Sequence, residues 1–436
     1  MILHTQNSVK VNAAMGYIFS FLVVLLPLLG QVGLPIDIPF VTENISVGEL
    51  VLIPFIVGYL CDKWPVDGIT ALRPVRLGGT VCFAILLTAV SIVGARTIGF
   101  SLRTALPTVF SLFFFAALML AVRGNFRARY GIWLYSDICF LLSLYLLLQL
   151  LLLKNGYGYL TDGFVRDSYI FAGIDPVRFA DTGVPTSLFL SADAFALFVI
   201  PAIVFCLLWN RRCYSFFGIL YGAFMTAAVI VSGSAIGTVI VSLIWVAYLA
   251  LPLLYFILHP ADAVYRFTRS GAPKITVLVL FYMIAVTLVT LYLLDGTLSR
   301  VLLPSFREVL HAPSLTAGFT ELADVLVTRR QLFFGVGFGN IEAAFASAGI
   351  ALPALSSFGV LLYSTGLVGL AAFSLLLVGL LLRSRGKFGF AIALLLIAVS
   401  LISDVAYTPI FMLWFFLSHT FGQIEMPFKR YLRIEY

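Results

Sequence analysis

The sequence predicts an all-α integral membrane protein, a single polytopic domain over 1–436 with about twelve transmembrane helices and two long loops on one side of the membrane. Three observations lead there. Of 436 residues, 61% are hydrophobic and 11% charged, and the mean hydropathy is +1.08. A soluble fold must show part of its surface to water and cannot hide so much apolar area. The apolar residues come in repeated runs of about 18 to 25, the length a helix needs to cross a bilayer. Lysine and arginine also crowd into alternate connections, 18 of the 27 falling on one side, the bias that marks the cytoplasmic face.

The runs follow in order. The first, 13–34, comes after Lys10 and lacks a small-residue cleavage site, so it reads as an uncleaved signal anchor. Runs 45–60 and 78–95 flank Lys63, Arg73 and Arg76, and runs 104–122 and 131–153 flank Arg123, Arg127 and Arg129. A first long loop, 154–187, precedes run 187–209; Arg211 and Arg212 separate that run from 215–232. "VSGSAIG" (231–237) reads as a tight outer turn into run 235–258. Arg266, Arg269 and Lys274 lead into run 273–294, and a second long loop occupies 295–354. Runs 355–382 and 387–403 enclose Arg383, Arg385 and Lys387. Asp404 and Pro409 set a break before the last run, 405–422, because a charge and a missing backbone donor are both costly within lipid. An even count places both termini on the basic, cytoplasmic side, with Lys429, Arg430 and Arg433 beyond the last run.

Several function classes are disfavoured. The net charge of +7 is mostly this inner-face excess, which suits anionic lipid headgroups and needs no nucleic acid. The five cysteines sit in spans or at the inner face, so no disulfide framework is implied. Every cytoplasmic connection is too short for a nucleotide-hydrolysing domain. "LFFGVGFGN" (332–340) lacks the strand and helix that a nucleotide loop requires, and reads instead as a tight turn re-entering at the outer face. The four histidines are scattered, without metal-ligand spacing, and no G-x-S-x-G marks a hydrolase. The expectation is no metal, no cofactor and no nucleotide.

The two outer loops carry the chemistry. Both hold apolar and aromatic residues, unlike disordered linkers. In the second, Thr320 is a candidate N-cap for a short helix with Leu322, Val325 and Leu326 on one face, either lying on the membrane or forming a lid. Arg178 in the first loop, and Arg300, Arg307, Arg329 and Arg330 in the second, suit a phosphate, which guanidinium binds through paired donors. Outside the cytoplasm, a phosphate at the membrane surface points to a lipid-linked substrate. Asp181, Asp193 and, less favoured, Glu342 are candidate bases. Asp137 and Asp193 fall within predicted spans, where acids usually turn toward a cavity.

Over most of its length the chain resembles the O-antigen polymerase and ligase superfamily, in particular the Wzy-type polysaccharide polymerases. The resemblance rests on the span-and-loop pattern, on "RFADTGVPTSLFLSADAF" (178–195), on "FFGVGFGN" (333–340) and on "LLYSTGLVGLAAF" (361–373). It implies a GT-C-like glycosyltransferase of the bacterial inner membrane, with its active site in the periplasm. Such an enzyme transfers an undecaprenyl-diphosphate-linked glycan onto the sugar of another lipid-linked repeat unit, and a chain-length regulator is a candidate partner. Arg178 matches the arginine that the family places in its first long loop to hold diphosphate, and the second-loop arginine is not assigned. Ligases of the superfamily carry a histidine and an asparagine where this chain has "AGIALPALSSFG" (348–359), which favours polymerase. The family's frequent Ser-Arg pair is Ser234-Ala235 here. A ligase acting on lipid A core is the nearest alternative, and a lipid-linked-oligosaccharide flippase the more distant one.

Overall fold

The computed structural model describes residues 2–32, 46–58, 78–97, 99, 102–155, 185–213, 216–258, 303–310, 321, 323–327, 331–384 and 386–419. Among the described residues every regular element is helical and no strand forms. The main helices are α1 (Ile2–Leu29), α2 (Val47–Gly58), α3 (Gly78–Gly94), α4 (Leu102–Asn125), α5 (Ala128–Lys154), α6 (Ala192–Cys213), α7 (Phe216–Val231), α8 (Ala235–Leu258), α9 (Leu303–Leu310), α10 (Ile341–Ser347), α11 (Ser357–Arg383), α12 (Lys387–Ile402) and α13 (Pro409–His419). Three stretches, Ala105–Val122, Tyr130–Leu153 and Ser357–Arg383, are long and apolar enough to cross a membrane; the other bundle helices are shorter apolar segments.

Most helix boundaries track the hydropathy runs, α8 coinciding with run 235–258, but α1 begins at Ile2, well ahead of run 13–34, and ends at Leu29. Two differences bear on the site. Helix α6 starts at Ala192, not at 187, because residues 187–191 form a turn. The last apolar stretch is split as Asp404 and Pro409 predict, with α12 ending at Ile402 and α13 beginning at Pro409. The predicted run 273–294 lies outside the described residues.

Helices α6 and α13 form the centre of the bundle. Residues 195–207 of α6 and 411–418 of α13 are buried on every side, the pattern of a helix surrounded by other helices. The two are joined where the Trp414 indole N–H donates to the Leu197 carbonyl at 2.9 Å. Around α13 the rings of Phe115, Phe373, Phe411 and Phe415 pack with centroids 5.1–6.1 Å apart, a spacing that adds edge and offset contacts to simple burial. Outer helices present leucines outward, such as Leu141 and Leu151 on α5 and Leu375 and Leu382 on α11. That suits a lipid solvent better than water.

A second, smaller core joins the second long loop to α11. Val325, Leu326, Val336, Phe345 and Tyr363 are buried together. Where a helix is expected after Thr320, the described residues Ala323–Val327 form a π turn. Its Val325 and Leu326 are fully buried rather than laid on a surface, while Thr320 and Leu322 lie outside the described residues.

Candidate functional site

The site end of the bundle is built by three pinned turns that meet where successive helices reverse. The first is the glycine-rich turn of 331–340. Gly335, Gly337 and Gly339 take φ of 67°, 91° and 73°, values that glycine adopts without penalty. The turn enters a break in α11, where Gly366 stands at φ 66°, ψ −164°. The interrupted ladder is repaired by the inserted backbone. Val336 and Gly337 N–H donate to the carbonyls of Tyr363 and Ser364, while Leu367 and Val368 N–H donate to those of Leu332 and Phe333, at 2.8–3.2 Å. Irregular backbone at membrane depth survives only when its polar groups are satisfied in this way. The fit leaves no spare room: a Cβ on Gly366 would lie 2.4 Å from Phe333 carbonyl atoms, and one on Gly94 2.4 Å from the Phe334 oxygen. The expectation of a tight backbone turn here matches the structure.

The same turn fastens to the end of α3. The Gln331 amide donates to the Gly94 carbonyl at 3.2 Å, the Ser91 hydroxyl accepts from Phe338 N–H at 2.8 Å, and the Asn340 amide donates to Gly99 at 3.1 Å.

The second turn, 185–191, closes the first long loop. Gln149 on α5 grips Ser187 twice, its Oε1 accepting from Ser187 N–H at 2.9 Å and its Nε2 donating to the Ser187 carbonyl at 3.1 Å. The Ser187 hydroxyl donates to Leu142 at 2.9 Å. Those bonds hold Ser187 at φ 58°, uncommon for a residue with a Cβ. Gln31, just past α1, accepts from Leu190 N–H at 2.6 Å. Asp193 is thereby set in the first turn of α6, at the mouth of the bundle rather than inside a span, with an exposed side chain. Its Oδ1 accepts from the Ser234 hydroxyl at 2.5 Å, and Ser234 in turn caps α8 by accepting from Gly237 N–H at 2.9 Å. The expected outer turn at 231–237 is therefore also the support of Asp193.

The third turn, 403–408, holds a residue that sequence reasoning used only as a helix breaker. The Ser357 hydroxyl, at the start of α11, accepts from Val405 and Ala406 N–H at 2.8 and 2.9 Å and donates to the Ser403 carbonyl at 3.0 Å. Asp404 Oδ1 lies 3.5 Å from the same oxygen. Burial pushes the Asp404 carboxyl up to about 6, against the lowering pull of the Ala406 backbone and the Ser357 hydroxyl. The residue as a whole stays exposed, while protein atoms crowd its carboxyl group. Beside it stands Tyr407, at φ 65°. Its hydroxyl is buried with no hydrogen-bond partner among the described residues, and both burial and the Asp404 charge raise its pKa. The Tyr407 ring meets Phe338 of the first turn at 6.3 Å, and a methyl on Gly30, at the end of α1, would sit 2.7 Å from Pro409 Cγ. Together with the Gln31–Leu190 bond, these contacts bring all three turns to one end of the bundle.

Of the candidate arginines and bases named from sequence, the structure describes three. Asp193 is at this end, Glu342 is exposed on α10, and Arg307 is exposed on α9, a short helix packed beside α8. Arg178, Asp181, Arg300, Arg329 and Arg330 lie outside the described residues. Asp137, expected to turn toward a cavity, is instead exposed on the outer face of α5. Asp404 and Tyr407 were the omissions. The one available signal was the stretch "DVAYTP" (404–409), an acid with Tyr-Thr-Pro three residues on, between two apolar runs. Among the described residues no three His, Cys, Asp or Glu side chains come together. No family model, no curated protein and no solved structure matches this chain.

Proposed function

We propose that this protein is a membrane polysaccharide polymerase. In this reading the chain crosses a bacterial inner membrane about twelve times in a GT-C-like arrangement and works at its outer face. It transfers the glycan of one undecaprenyl-diphosphate-linked unit to a hydroxyl of another. The observation that carries the reading is that two segments closing the long loops, 185–193 and 331–340, lie at one end of the bundle, linked through the end of α1 and the turn 403–408. Two carboxylates, Asp193 and Asp404, stand at that end, and the arginine-bearing loop segments adjoin it in the chain.

The chemistry asks little beyond positioning and charge. The bond from the anomeric carbon to the diphosphate oxygen breaks, and the acceptor oxygen bonds to that carbon. The acceptor's proton passes to a carboxylate and the lipid diphosphate leaves. Arginine neutralises the charge that develops on the leaving group, which favours the transition state over the bound substrate. Arg178 is assigned this role, with a second cation drawn from Arg300, Arg307, Arg329 and Arg330. A carboxylate base contributes ~10²–10⁴-fold. Asp404, with its raised pKa and crowded setting, joins Asp181 and Asp193 as a candidate. Holding two lipid-tethered substrates at one surface adds a proximity advantage.

A transporter reading would draw on the broken helix α11, since transporters use such breaks to bind substrate. Here the freed backbone groups around Gly366 bond to the inserted turn instead of facing a cavity, which favours the enzyme. The deciding experiment gives purified protein a lipid-diphosphate-linked repeat unit without nucleotide sugar. A glycan ladder that disappears in Arg178→Ala is the expected result. Transfer only to lipid A core would establish a ligase, and movement of the intact unit between leaflets a flippase.

A further inference from the structure

At the bundle end opposite the three turns, helices α3, α4, α11 and α13 leave a cavity of about 340 Å³ between them, within the usual range for small-molecule pockets. Its inner wall is buried and apolar, made by Phe83, Met119 and Phe416; its outer wall includes the exposed Leu86 and Leu375. The last residues of α11 and α13, Arg383 and His419, stand at its polar end, and among the described residues no acidic side chain lines it. Two glycines border it, Gly79 at the start of α3 and Gly379 inside α11. A Cβ on either would meet nothing within 4 Å. Glycine within a helix weakens it relative to alanine, so Gly379 leaves space open at a cost to its own helix.

The geometry points to a binding site for one anionic phospholipid, with an acyl chain in the cavity and the headgroup phosphate on Arg383. An apolar slot open to the side of a membrane helix bundle suits a hydrocarbon chain. A guanidinium at its end suits a phosphate, which it binds through paired donors. Arg383 also belongs to the basic cluster of Arg383, Arg385 and Lys387, and basic pockets between helices on that side attract anionic headgroups. The inference rests on the helices lying in a bilayer and is independent of the polymerase reading.

The test titrates the detergent-purified full chain with dioleoylphosphatidylglycerol, dioleoylphosphatidylcholine or dioleoylglycerol and reads bound lipid by native mass spectrometry. Cys82, exposed and lining the cavity, supplies a local readout through its alkylation rate, followed by peptide mass. The anionic lipid is expected to bind about ten-fold more tightly than the other two, equivalent to ~1.4 kcal/mol, and to slow Cys82 alkylation several-fold. Arg383→Gln should remove that ten-fold preference. Gly379→Leu should fill the cavity, abolish tight binding and make Cys82 alkylation indifferent to lipid. Equal affinity for the three lipids in the wild type would overturn the assignment, and so would unchanged preference in Arg383→Gln. If Gly379→Leu lowers the melting temperature, Arg383→Gln, at an exposed position, decides alone.

Discussion

Tyr407 combines two costs that a structural residue would avoid. A left-handed backbone is unfavourable by roughly 1–2 kcal/mol for a residue with a Cβ, and a buried hydroxyl without a partner costs about 1–3 kcal/mol. Outliers of this kind cluster where a site is held ready for a ligand. Tyr407→Phe removes the unpaired oxygen without changing shape, so we expect a higher melting temperature in detergent together with slower polymerisation. A gain in stability with activity unchanged would make the hydroxyl a mere defect. Asp404 allows a sharper pH test. Its folded carboxyl titrates near 6, above the ordinary value of about 3.9. The folded state therefore binds more protons than the unfolded state between those values, and the ionised group destabilises the fold as pH rises through that window. Asp404→Asn should thus raise the melting temperature relative to wild type at pH 8, with the advantage shrinking toward pH 4. If Asp404 is the base, wild-type rate climbs as pH passes about 6 and the Asn variant loses both that limb and ~10²-fold or more of the rate. Retention of the limb in the variant would assign the proton to another carboxylate.

At the scale of elements, the break in α11 and the turn that fills it behave as one unit. Gly366→Ala places a methyl 2.4 Å from Phe333 backbone atoms on a left-handed residue. Backbone cannot give way as a flexible side chain can, so we expect loss of most folded protein from the membrane fraction, with Gly379→Ala on the same helix as the tolerated control. Gln149→Leu keeps the size of the side chain but leaves the Ser187 N–H and carbonyl without these two partners. That should lower stability by about 1–3 kcal/mol per orphaned group, measured as a fall in the melting temperature. The helices themselves were legible in sequence because apolar runs and their charged ends are set by solvent, whether water or lipid. The break at Gly366 was not legible. A lone glycine in "LLYSTGLVGLAAF" looks the same in a continuous helix, and only the docking of a segment some thirty residues upstream decides otherwise. Likewise the π turn at Ala323–Val327 owes its burial to Tyr363 and Phe345, distant partners that local periodicity does not register.

For the whole molecule, the candidate site was partly visible in advance. Asp193 was marked by its place beside a long polar loop, and the glycine turn by its composition. Asp404 read only as an interruption, because its setting depends on Ser357, almost fifty residues upstream, and on the fold of its own turn around Tyr407. What unites these groups is the alternation of the helices. The ends of α1, α3, α5 and α12 and the starts of α6, α8, α11 and α13 are joined by the bonds and contacts of Gln31, Gln331, Gln149, Ser234, Ser357 and Pro409. Alternation requires the opposite end to hold Arg127, Arg383 and Lys387, the basic connections. If the basic end faces the cytoplasm, as the charge bias demands, every turn of the candidate site faces outward. Reporter fusions test this directly. Alkaline phosphatase, active only outside the cytoplasm, should be active when joined after residue 165 or 320 and inactive after residue 267 or 436, with a cytoplasmic reporter giving the reverse. An active fusion after 267 together with an inactive one after 320 would turn the site toward the cytoplasm. The lipid-diphosphate chemistry would then lose its setting, however well Asp193 and Asp404 are held.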